Sequence, residues 1–229
     1  MKSNHDRCPR RRFLTGMLAT GTCAAAFAPL GTAAEKGEKS MSAIKNEDFY
    51  QDGKFLADKA KDAYFSMMRR FSYPIPPRLL KELWAVDFSL GDFARVGMAG
   101  IFWYNDKASN VFGHEIFLLP GQMIVEHGHE ITPDAQAKRE AWHVRHGWIC
   151  TFGEGAAPEG TCPVELPRSQ TKFITAHNWK QVKEGEVDSL GRATARHFMI
   201  AGPSGAIVTE YGTYHDGAGL RFTNSGVKF

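Results

Sequence analysis

The sequence predicts an all-β fold, an antiparallel sandwich or barrel, with an N-terminal helical cap. Three observations carry this. From Gly53 to Tyr73 the residues Phe55, Leu56, Ala60, Ala63, Tyr64, Met67, Met68 and Phe71 recur at three- and four-residue steps, the period of an amphipathic helix. After Trp84 that period disappears, and short apolar and aromatic runs follow one another. Gly, Pro, Asn and Asp separate the runs, and no helical segment lies between them to carry a parallel crossover.

The N-terminus comes first. Arg10-Arg11-Arg12-Phe13-Leu14 leads into an uncharged, Ala- and Gly-rich stretch that ends at Gly31-Thr32-Ala33-Ala34. A charged start, a mildly apolar middle and small residues at the end make a secretory signal over 1–34. The paired arginines before Phe-Leu resemble the signal of the twin-arginine pathway, which implies export to the periplasm. The stretch Leu14–Ala34 holds three Gly, seven Ala and Pro29, a poor spanning helix, so no transmembrane span is expected after processing. Cys23 is a weakly supported site for lipid attachment.

Residues 35–46 (EKGEKSMSAIKN) are polar and read as a linker. The helical region covers 47–84: its first helix ends at Pro74-Ile75-Pro76-Pro77, and Leu79, Leu80, Leu83 and Trp84 suggest a short second one. The β region covers 85–229, with strands expected in VGMAGIFWY, HEIFLLP, QMIVEHGH, AWHVRHGWICTF, TKFITAHNW, ARHFMIAG and GAIVTEYGTY. Beyond the signal some 190 residues remain, the size of one domain.

Composition excludes some functions. Net charge is +3, and Arg7, Arg10, Arg11 and Arg12 supply much of the excess, so no basic face for nucleic acid remains in the rest. Without the signal two cysteines remain, Cys150 and Cys162. That is too few for a CxxC zinc site, and pairing across the Gly- and Pro-rich loop between them stays open.

The chemistry concentrates in GQMIVEHGHEITPDAQAKREAWHVRHG, residues 121–147. On a strand, His127 and His129 share one face because side chains alternate. Two imidazoles converging with a carboxylate suit a divalent ion of Mn, Fe, Ni or Zn type. The glycines frame them as G-x5-H-x-H…E-x6-G, with Glu140 the carboxylate. Strand parity sets Glu126 opposite His127 and turns His143 away from the Glu140 face. His146 keeps that face but lies far along the strand, at a rim or in the lower barrel. Downstream, His177, His197 and His215 remain as further candidates.

The framed string resembles the first signature motif of the cupins, jelly-roll barrels that hold one metal in their mouth. Ten residues separate His129 from Glu140 where that motif has three or four, and ITPDAQA reads as a loop insertion. Cupins take a fourth ligand, a His, from a second motif. The segment GEVDSLGRATARHFMIAGPSGAIVTEYGTYHD is similar to that motif in degraded form, which selects His197, leaves His177 structural and places His215 at the mouth.

A narrower resemblance covers roughly residues 112–225. HFMIAGPSGAIVTEYGT, FLLPGQMIVEHGH and Lys138 two residues before Glu140 are similar to segments of the cupin-type D-lyxose ketol-isomerases. That implies aldose–ketose isomerisation of a D-lyxose/D-xylulose-like sugar with one divalent metal, Mn first and Fe, Zn or Ni as alternatives. It implies Glu210 as the proton-transferring base and Lys138 as a fixed cation at the developing oxygen charge. Trp142, Tyr214, His215 and Asp216 are the expected substrate contacts, with Tyr211 and Arg221 further mouth residues. Two other functions share the ligand set: an iron-dependent cupin dioxygenase, and a carbohydrate- or metal-binding cupin without turnover. The family implies a homodimer.

Overall fold

The computed structural model describes residues 44–229; the expected export signal, Cys23 and most of the linker lie outside the described residues. The described chain opens with a small hairpin, β1 (Tyr50–Gln51) and β2 (Lys54–Phe55). Helix α1 (Ala57–Arg70) follows, then α2 (Pro77–Glu82), whose proline at the first helical position gives up an N–H that has no partner there anyway. Trp84, expected in the second helix, instead begins strand β3 (Trp84–Val86).

Eight more strands complete the sheet: β4 (Met98–Asp106), β5 (Val111–Leu118), β6 (Met123–His129), β7 (Glu140–Gly153), β8 (Asn178–Lys183), β9 (Val187–Ser189), β10 (His197–Gly212) and β11 (Leu220–Phe222). The order is β11-β6-β10-β5-β4-β3, with β7 against β10 and with β8 and β9 on its other side. All strand pairs are antiparallel. Strand β10 does most to curl the sheet: its first part pairs with β6, its second with β5, and both with β7. The two expected strands ARHFMIAG and GAIVTEYGTY are therefore one, bulged at Gly202–Gly205 rather than turned. TKFITAHNW also differs. Thr171–Phe173 form a short 3-10 turn, and the N–H groups of Thr175 and Ala176 go to the Glu126 carboxylate instead of a neighbouring strand, so β8 starts at Asn178.

Alternation along the strands separates two cores. Ile116, Leu118, Val144, Ala206 and Val208 face the barrel interior. Phe117 and Ile207 face outward, where α1 lays Ala60, Tyr64, Met67 and Met68 over them, all four fully buried. Each large apolar side chain buried this way contributes about 1.5–3 kcal/mol, which is why the amphipathic stripe of α1 stays on the sheet. Tyr64 reaches through this layer to donate a 2.6 Å hydrogen bond to Gln122 Oε1 in the turn before β6.

The closing glycine of the histidine-rich stretch has a backbone reason. Gly147 lies at φ +72°, and a Cβ there would overlap the carbonyl oxygen of Gly205 in the opposing bulge. Gly147→Ala is expected to destabilise the fold by at least about 2 kcal/mol, since positive φ and a backbone clash add. The urea midpoint of the variant checks this, and an unchanged midpoint would contradict it.

Candidate metal centre

Three strand ends converge at one mouth of the barrel. β6 ends with His127 and His129, β7 begins with Glu140, and β10 begins with His197. Register sets His197 opposite His127. One ligand atom from each of these four residues lies within 4.8 Å of the others, the only such group of three or more among the described residues. The four residues singled out as ligands from spacing and resemblance are thus brought together.

The donor set fits a cation. His127 Nδ1 donates to Val125 O and His197 Nδ1 to Ala195 O, both at 2.9 Å. Those bonds set the tautomer and leave each Nε2 with a lone pair for a ligand. His197 Nε2 sits 2.8 Å from Glu140 Oε2, and His129 Nε2 sits 3.1 Å from Glu140 Oε1. Yet His129 Nε2 and Glu140 Oε2 are buried without a hydrogen-bond partner. Lone pairs facing a carboxylate at such range need a positive charge between them. Burial, with His197 and His129 adding, pushes the His127 pKa well below its ordinary value, so this imidazole stays neutral, as a ligand must be.

Lys138 joins this cluster to a second carboxylate. It precedes β7, where Arg139 and Thr213 bond to each other and extend the β7–β10 pairing to the loop. Its ammonium donates to Glu140 Oε1 at 2.7 Å and to Glu210 Oε1, and lies 4.0 Å over the Phe112 ring. Burial opposes its charge, but Glu140 and Glu210 outweigh burial and raise its pKa. Glu140 is likewise penalised by burial, yet Lys138, His197 and His129 hold it ionised, well below the usual carboxylate range. Two carboxylates and one ammonium leave the buried cluster net negative, an environment that opposes burial and raises the His197 pKa and that would also favour a bound cation.

Glu210 comes from the barrel-facing side of β10, in step with Ala206 and Val208. Its other oxygen, Oε2, is 3.1 Å from His114 Nδ1. His114 escaped the spacing argument because no second histidine accompanies it, though HEIFLLP places it in step with the interior residues Ile116 and Leu118. It stacks on Trp84 at 5.5 Å, and Gly100 makes room for both, since a Cβ there would overlap His114 Nε2 and Trp84.

Among the expected substrate contacts, Trp142 and His215 line the cavity over the cluster. Trp142 lies 5.4 Å from His197. His215 is held by its backbone, which exchanges two 3.0 Å bonds with Asn105, and packs on Phe112 at 5.4 Å. Burial, with Lys138 and His129 adding, lowers its pKa to about 3, so it is uncharged. Tyr214 and Asp216 do not line the cavity. Asp216 instead accepts from Thr132 Oγ1 at 2.7 Å and from Ala218 N at 3.0 Å, tying the ITPDAQA loop to β11. Arg221 pairs with Glu130 at 2.9 Å and Tyr211 is exposed.

The remaining candidates lie elsewhere. The Glu126 carboxylate is turned away from the site, accepting from Thr175, Ala176 and Thr223. His143 lies beside Arg145, and His177 is exposed. His146, expected on the Glu140 face, is on the other one. Val144 pairs with Val208 and His146 with Ile207, so Arg145 is an extra residue and the alternation reverses. His146 therefore stacks on Phe71 at 5.3 Å, beneath α1. Cys150 and Cys162 are both free, and burial with Cys162 alongside pushes the Cys150 thiol up to about 12.

No family model matches the chain. Sequence relatives do. A D-lyxose/D-mannose isomerase of Thermosediminibacter oceani is 24% identical over 168 residues, covering 73% of this chain and 91% of that one. A D-lyxose ketol-isomerase of Cohnella laeviribosi is 26% identical over 153 residues, covering 67% and 82%. Among solved structures, L-ribose isomerase of Acinetobacter sp. DL28 in complex with L-ribose superposes with a TM-score of 0.57 at 14% identity, covering 82% of this chain and 96% of that one. L-ribose isomerase of Cellulomonas parahominis gives 0.55 at 16% identity, covering 74% and 91%. The chain is similar in sequence and in fold to cupin-type sugar isomerases. Its expected fold, an antiparallel cupin barrel with helices packed on one side, is theirs.

Proposed function

We propose that the protein is a metal-dependent aldose–ketose isomerase, with Mn the first metal to supply. The observation that carries this is the Lys138 bridge, one buried ammonium shared between Glu140 of the ligand cluster and Glu210. A dioxygenase or a binding protein would have no use for a second carboxylate so placed. A divalent cation held by His127, His129, Glu140 and His197 would act as a Lewis acid on the carbonyl oxygen.

The chain's own residues then move the protons. Glu210 takes the proton from C2 of the aldose. The C–H electron pair becomes the C1–C2 double bond of an enediolate, and the same carboxylate returns the proton to C1. Lys138, fixed between two carboxylates, stabilises the charge that develops on oxygen and is placed to pass the hydroxyl proton from O2 to O1. His114 holds one oxygen of Glu210 and Lys138 the other, so the carboxylate is fixed in orientation at the cavity. Trp142 and His215 close the sides of the space and exclude water from the reacting carbons.

The named relatives act on D-lyxose and D-mannose, and the named structures are L-ribose isomerases, so these three sugars open the panel. Mn-loaded protein is expected to form ketose from at least one aldose, read by ketose assay. No ketose from any aldose, with sugar-dependent protection against heating, would instead favour a binding protein.

A further inference from the structure

The cavity over the metal centre is polar at one end only. The charged and imidazole side chains that face it are those of the four-residue cluster, Lys138, Glu210, His114 and His215, and among the described residues the other polar groups on its wall are the indole N–H groups of Trp84 and Trp142. Most of these are committed. Lys138 is shared by two carboxylates and Glu210 is held by Lys138 and His114, while His114 Nε2 fills the space a Cβ on Gly100 would take and has no hydrogen-bond partner. That leaves His215, His114 Nε2 and the indole N–H groups of Trp84 and Trp142 as the groups that could meet a substituent beyond the reacting carbons.

Away from those groups the wall is aromatic and aliphatic. Trp84, Phe102 and Phe112 form a run of rings with centroids 5.6 and 5.2 Å apart. Phe222, Ile116 and Met98 continue it around the interior. No Ser, Thr, Asn, Gln, Asp, Arg or Tyr lines this wall among the described residues. A pentose or hexose needs partners for its outer hydroxyls as well as for O1 and O2. A hydroxyl buried without a partner costs on the order of ten- to a hundredfold in selectivity.

Resting on the isomerase reading above, we infer that the preferred substrate is an α-hydroxyaldehyde whose end remote from the carbonyl is apolar, a terminally deoxygenated aldose. A methyl group in place of the terminal CH2OH would meet the wall of Phe102, Ile116 and Met98 with nothing left unpaired.

The test compares matched pairs on Mn-loaded full-length protein: D-lyxose with 5-deoxy-D-lyxose, D-mannose with 6-deoxy-D-mannose, and L-ribose with 5-deoxy-L-ribose. In whichever pair is turned over, the deoxy sugar is expected to have at least tenfold higher kcat/KM. Equal values, or a preference for the parent sugar, would overturn the inference while leaving the isomerase reading standing. If no sugar is turned over the isomerase reading fails, and calorimetric binding of the matching alditol pairs decides the cavity question alone. Tighter binding of the deoxy alditol then supports the apolar end, and equal or weaker binding removes it.

Discussion

Glu210→Gln is expected to lower kcat on the order of 10²- to 10⁴-fold, the usual contribution of a positioned proton-transfer group. Glutamine keeps the size of the side chain, so the buried space it fills in step with Ala206 and Val208 is unchanged. One amide oxygen can still accept from Lys138, while Lys138 keeps its 2.7 Å bond to Glu140. What is lost is the group that takes a proton from carbon and returns it. Because Glu210 is not among the four residues of the cluster, metal content should stay at the wild-type level and KM should change by only a few-fold. Steady-state kinetics with metal analysis on the same sample check all three. Retention of wild-type kcat would remove Glu210 from the mechanism, and loss of metal together with kcat would make it a structural support of the cluster.

How far the site can be read from the sequence depends on where each residue sits in the sheet. On β6 the two-residue spacing of His127 and His129 is a sufficient guide, because a strand end in a regular ladder keeps its alternation. Glu210 is readable in the same way, two residues beyond Val208 on the interior face. His114 carries that signal too, standing two residues before Ile116, but a single histidine in an apolar run attracts no attention by spacing. His146 was beyond parity for a different reason. The extra residue at Arg145 reverses the faces of β7, and a bulge leaves no mark in the pattern of apolar residues until its partner strand is known. Tyr214 and Asp216 lie after β10 ends, where alternation says nothing; their placement follows hydrogen bonds to Asn110 and Thr132, far away in sequence. The strand expected at TKFITAHNW failed by competition. Glu126, itself buried, needs donors for its carboxylate, and the N–H groups of Thr175 and Ala176 supply them at the expense of a ladder.

Removing the metal is expected to lower Tm by on the order of 10 °C, and Glu140→Ala to abolish both that shift and the activity. A cation that binds only the folded chain stabilises it by about 4 kcal/mol when present at a thousand times its Kd. For a domain of this size each kcal/mol moves Tm by roughly 2–4 °C. The apo site also stores a cost that the ion removes, since His129 Nε2 and Glu140 Oε2 are buried without hydrogen-bond partners. Glu140 is the residue at which the largest effect should appear, because it faces His129, His197 and Lys138 at once. Without its carboxylate the three imidazoles surround no fixed negative charge, and the metal loses both a ligand and a counter-charge. Calorimetric scans with and without chelator, on wild type and on Glu140→Ala, give the comparison. The wild type should recover its higher Tm and its turnover when Mn is restored, while the variant should show one Tm in all conditions. A chelator-sensitive Tm that survives in Glu140→Ala would place the ion somewhere other than the mouth of this barrel.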